Sequence, residues 1–122
     1  MPYIVGFSTT FSALGMSAGV VNSAIKTTGS DSESVLLSLS SSEYRSVNYQ
    51  IQVVRGENYN TTNVQVIHDN TRAYVSEYGT INQPVSISTF SSDLNGGNIR
   101  LLAYPSNSGL TTFKVIYTAT KS

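Results

Sequence analysis

Cysteine and tryptophan are absent from the 122-residue chain, and charged residues are scarce at 11%. Without cysteine there is no disulfide framework and no thiolate metal site, and His68 as the single imidazole excludes any centre that needs two histidines from one chain. Seven basic and seven acidic residues cancel. No net field therefore draws the chain to nucleic acid or to an anionic membrane. About a third of the residues are Ser, Thr or Asn, so polarity comes from neutral hydrogen-bonding groups rather than from charge. The length suits one domain with one core.

Residues 1–25 carry no charge, and the first cation is Lys26. A secretory signal needs a basic stretch ahead of its apolar run, which is missing here. A membrane span is also unexpected, because Ser8, Thr9, Thr10, Ser12, Ser17 and Ser23 interrupt the apolar residues. Gly15 and Gly19 stand four apart, a spacing that allows close backbone approach. The expectation is an irregular assembly arm over residues 1–30, whose small residues follow a partner's surface. Its contact residues would be Phe7, Phe11, Leu14, Gly15, Met16, Gly19 and Val20.

After the acidic, Ser-rich connector Gly29–Ser34 the pattern changes to short runs with period-two alternation, the mark of half-buried strands. In Tyr44–Val54, Val47, Tyr49, Ile51 and Val53 face one way while Asn48, Gln50 and Gln52 face the other. Further runs are Val35–Leu39, Asn63–His68, Ala73–Tyr78, Val85–Phe90, Ile99–Tyr104 and Leu110–Ala119. Turn-rich stretches separate them, including Asp69-Asn70, a closing Gly79, Asp93–Gly97 and Pro105–Gly109. Seven strands at such spacing, with no amphipathic helix, predict an all-β fold: an antiparallel, jelly-roll-like β-sandwich over residues 31–122. The expected core is Leu37, Val47, Tyr49, Ile51, Val53, Val64, Val66, Val75, Ile87, Leu101, Phe113, Val115 and Tyr117.

Chemistry is faint. His68, Asp69 and Glu77 could on paper make a base with orienting carboxylates, yet no strand-to-helix serine elbow accompanies them. A noncatalytic protein without cofactor is expected. Asp93–Asn98 offers one carboxylate, too few for a hard-cation loop, and reads as a glycine-rich turn. Asn60-Thr61-Thr62 fits a glycosylation sequon without a secretory context. Tyr59, Tyr74, Tyr78 and Tyr104 could stack sugars, but without tryptophan their use in a core or interface is favoured.

The runs Tyr44–Val53, Val64–Gly79 and Asn98–Pro105 resemble a β-module of virion structural proteins of tailed phages, especially cyanophages. Its distinctive pieces are the His68-Asp69-Asn70-Thr71 hairpin followed by Glu77-Tyr78-Gly79, and the Asn-Gly-Gly-Asn turn before Ile99. The resemblance covers about residues 35–120 and leaves the arm outside. It implies a virion component rather than an enzyme: a capsid decoration or cement subunit, or a tail-associated piece, acting through protein–protein contacts. The expected partners are other virion proteins and the chain itself as a homotrimer, since so few charges suit a self-associating surface. The alternative is a module that displays a receptor- or glycan-binding surface to the host.

Overall fold

The computed structural model describes residues 13–122, which form nine antiparallel strands and no helix. These are β1 (Ala13–Gly15), β2 (Gly19–Thr28), β3 (Ser34–Ser40), β4 (Tyr44–Arg55), β5 (Asn58–His68), β6 (Ala73–Gln83), β7 (Ser88–Asn95), β8 (Asn98–Pro105) and β9 (Thr111–Lys121). A six-stranded sheet in the order β1-β2-β9-β4-β5-β6 packs on a three-stranded sheet in the order β3-β8-β7. The chain changes sheet after β2, β3, β6 and β8, which is the wrapping of a jelly roll, while β4, β5 and β6 follow one another within the larger sheet. The all-β sandwich expected from the alternation is present.

Alternation sets the core directly. Val47, Tyr49, Ile51 and Val53 of β4 lie beside Val64 and Val66 of β5 and Phe113, Val115 and Tyr117 of β9, all buried against Leu36, Ile99 and Leu101 from the smaller sheet. The rings of Phe90 and Phe113 meet edge to face across the two sheets at 6.1 Å. Asn60 ties the two sheets together as well. Its buried amide nitrogen donates to the Val85 carbonyl at 2.9 Å, and its oxygen accepts the Ile87 amide at 2.7 Å. That clamp seats Ile87 in the core just ahead of β7.

Several expectations change in detail. Residues 19–28 are not an irregular arm: β2 pairs with β9 over ten consecutive positions, from Gly19 opposite Thr120 to Thr28 opposite Thr111. The local sequence concealed this because β2 alternates Val, Asn, Ser, Ala and Ile weakly, and its neighbour is almost a hundred residues away in the chain. A register shift between Val35 and Leu37 puts Leu36 in the core where Leu37 was expected. Val75 is 39% exposed although it lies opposite buried Val66, because β6 is the edge strand of the larger sheet. The strand does not close at Gly79 but runs on to Gln83 through a bulge opposite Thr61–Asn63. Asp93, Leu94 and Asn95 belong to β7, and the turn shrinks to Gly96-Gly97, both at positive φ as a two-residue hairpin requires.

Candidate functional site: an uncharged sheet face

One face of the six-stranded sheet is covered by β3, β8 and β7, and the registers show what the opposite face presents. Asn48, Gln50 and Gln52 of β4 lie beside Thr61, Asn63 and Gln65 of β5, and beside Lys114, Ile116 and Thr118 of β9. Val21, Ser23 and Ile25 of β2 extend the face on one side, followed by Leu14 of β1. Tyr74, Ser76, Tyr78 and Ile81 of β6 extend it on the other. Among the described strand residues on this face Lys114 alone is charged. The outside of the smaller sheet, by contrast, carries an ion pair: Arg100 grips Asp93 with two bonds of 2.8 and 2.7 Å, and Tyr104 donates to Glu33 at 2.9 Å.

The face is far from uniformly polar. Ile25, Ile67, Ile81, Ile116 and Tyr59 are all more than half exposed, with Leu14, Tyr74 and Tyr78 close to that. Two shallow grooves run along it. One, of about 380 Å³, is lined by Ser46, Gln65, Ile67, Tyr74 and Ser76. The other, of about 390 Å³, lies at the far end of β5 and β6 beside Gln52, Val54, Tyr59, Ile81 and Gln83. At about 4.8 Å per strand and about 3.3 Å per residue, the five longer strands β2, β9, β4, β5 and β6 make a face of roughly 24 by 33 Å, or about 800 Å². One side of a stable protein–protein interface is of that size.

The residues singled out for chemistry are spent on structure. His68 is buried, with Nε2 donating to the Tyr44 carbonyl at 2.7 Å and Nδ1 accepting the Asn70 amide at 3.0 Å. Arg45 caps the same corner by donating to the His68 carbonyl at 3.1 Å. Glu77 sits four ladder positions away, its carboxylate accepting from Thr62 at 3.0 Å and Thr80 at 3.2 Å. His68 and Glu77 are therefore not brought together. Asp93 has both oxygens on Arg100, and the Asn60 amide of the sequon is engaged on both sides.

Asp69 closes the β5–β6 turn. Its carboxylate accepts the Arg72 and Thr71 amides, each at 2.9 Å, and the Tyr74 hydroxyl, also at 2.9 Å. These donors favour the charged form and lower the carboxyl pKa to about 2. Because the folded value lies below the ordinary one of 3.8, the turn is supported at pH values above about 4, and that support fades as pH falls through 2. An NMR titration should give Asp69 a midpoint near 2 and show the Tyr74 and Thr71 signals moving with it. A midpoint near 4 would mean that the turn does not hold the carboxylate.

Of the expected arm contacts, Phe7 and Phe11 lie outside the described residues. Leu14 and Met16 are about half exposed, and Gly15 is open to solvent. Gly19 is buried against Ala119 of β9, and Val20 packs against the core. Sequence reasoning missed Gln50, Ile116, Ile25 and Ile81 as surface residues of one site. The outward half of each alternating strand was their signal, but it did not say which strands would lie side by side.

No family model matches the chain, and no curated protein matches it in sequence. In structure it is similar to the tailspike protein of Acinetobacter phage vB_ApiP_P1, at a TM-score of 0.50 and 19% identity over 94% of this chain. The chain spans 25% of that tailspike's length. The likeness is one of fold: an antiparallel β-module of this kind also forms part of a phage tailspike.

Proposed function

We propose that this chain is a noncatalytic structural module of a tailed-phage virion, tail-associated, that works by burying the outer face of its six-stranded sheet against neighbouring virion subunits, its own copies included. The observation that carries this reading is the face itself, interface-sized and with Lys114 as the one charged strand residue among those described. Exposed isoleucines and tyrosines drive burial, and neutral amides and hydroxyls satisfy one another without self-repulsion. A subunit that binds only the assembled particle stabilises it by mass action. The tailspike likeness in fold supports a place on the tail, and a decoration or cement role on the head is the variant of this reading that particle labelling distinguishes.

Ile116, near the middle of the face and 57% exposed, is the test position. An Ile116→Asp chain should keep its β circular-dichroism signal. An unpaired charge buried at an interface costs about 3–5 kcal/mol, so its association should weaken about 100-fold or more. Sedimentation of the wild type as an oligomer, three copies being the expected number, and of the variant as a monomer is the predicted result. A wild-type chain that is strictly monomeric and does not incorporate into particles would overturn the proposal.

The groove beside Tyr74 favours one second reading. Its lining, the polar Ser46, Gln65 and Ser76 with the ring of Tyr74 and the aliphatic Val66, Ile67 and Val75, contains no charge, which suits a neutral sugar. Low-micromolar binding on a glycan array by the monomeric Ile116→Asp chain would make display to the host the better description.

A further inference from the structure

Lys114 is the loose end of the uncharged face. It stands on β9, the third of the six strands, between Ile25 of β2 and Gln52 of β4. Its side chain is exposed and shares a shallow groove of about 190 Å³ with Gln50, Gln52, Thr61 and Ile116. Among the described residues of its own chain the ammonium group has no ion-pair partner. In water that group is strongly hydrated. A surface laid over the face strips the hydration away, and a buried charge without a counter-charge is strongly unfavourable.

We propose that Lys114 is the specificity-determining residue of this face, and that its cover is a different surface of a second copy of the chain, one that brings a carboxylate to the ammonium group. This rests on the face being an assembly surface and names what the covering surface must carry.

The face does not supply the counter-charge to itself. None of its outward strand residues among those described is acidic, so two copies packed face to face would bury two ammonium groups with no carboxylate. A contact between unlike surfaces is left, and that is the kind that closes three copies into a ring. The acidic residues narrow the other half of the contact. The chain has seven, all within the described residues. Four are already engaged: Glu33 by Tyr104, Asp69 by its own turn, Glu77 by Thr62 and Thr80, and Asp93 by Arg100. Asp31, Glu43 and Glu57 are exposed, and they lie outside the face, in the β2–β3 connector, the β3–β4 turn and the β4–β5 turn. One of these three, on a second copy, is the partner of Lys114.

A lysine stem can also carry its amine out to a rim, and Lys114→Met separates the two cases. Association is measured by sedimentation over a range of concentrations, with each variant first shown to keep its β circular-dichroism signal. If a carboxylate lies opposite, the methionine leaves it buried alone, and association should weaken about 10-fold or more. Lys114→Glu should weaken association about 100-fold or more. Combining it with Asp31→Lys, Glu43→Lys or Glu57→Lys reverses the pair, and one of the three combinations should return association to within about 10-fold of the wild type. A Lys114→Met chain that associates as tightly as the wild type, or a loss that none of the three reversals restores, would overturn the pairing and leave burial of the face standing. A monomeric wild-type chain that still incorporates into particles would overturn it as well, whereas one that does neither removes the proposed function with it.

Discussion

Phe113→Ala should lower the melting temperature of the chain by roughly 12–20 °C. Phe113 is fully buried in β9, opposite Val53 of β4 and Lys26 of β2. Its ring also meets Phe90 at right angles, so it joins the two sheets of the sandwich. Truncation removes the apolar transfer energy of the ring and leaves a cavity that stiff neighbouring strands cannot close, together about 3–5 kcal/mol. That is a large part of the roughly 5–15 kcal/mol that holds a domain of this kind. At about 4 °C per kcal/mol for this chain length the stated drop follows. Calorimetry at one fixed protein concentration is the check, because self-association also moves the transition. Phe113→Leu, which nearly conserves volume, should cost less than about 1.5 kcal/mol. Equal losses for the two variants would show that the ring is not the joint between the sheets.

The second large effect is expected at Gly19. A Cβ there would run into the Ala119 carbonyl of β9, and backbone cannot move aside as a side-chain tip can. Gly19→Val should therefore break the start of the β2–β9 ladder, at the upper end of the roughly 1–3 kcal/mol typical of overpacking. Hydrogen exchange reads this locally: amides of β2 and the facing side of β9 should lose protection while β4 and β5 keep theirs. Gly15→Val is the control. Nothing lies within 4 Å of a Cβ at Gly15, so that variant should melt with the wild type. The two glycines share one small-residue spacing in the sequence, yet only one of them is a contact. If both substitutions were silent, β2 would not be an integral strand of the sheet.

That pair of glycines illustrates how far the sequence could be read. Period-two alternation in Tyr44–Val54 identified the strand and its buried face without error, because the inward position of Val47, Tyr49, Ile51 and Val53 depends only on the pleat. The hairpin at Asp69-Asn70 was legible for a similar reason, since local turn chemistry decides it. Leu36 and Val75 were not, because a one-residue bulge and a place at the sheet edge are properties of neighbouring strands rather than of the strand itself. The candidate site was legible only as a composition, a shortage of charge and an excess of Ser, Thr, Asn and Tyr.

By itself, then, the sequence determined the fold class, most strand positions, the inward side chains and the neutral character of the surface, all of which follow from periods of two residues and from residue chemistry. Only the tertiary structure decided that β9 lies between β2 and β4, that residues 19–28 form a strand, and that the outward residues of β2, β9, β4, β5 and β6 make one face with a single charge among those described. The physical reason is that strand neighbours in a sandwich are chosen by burying a shared core. Ile25 and Lys114 are adjacent on the sheet while eighty-nine residues apart in the chain, and no local pattern records that pairing.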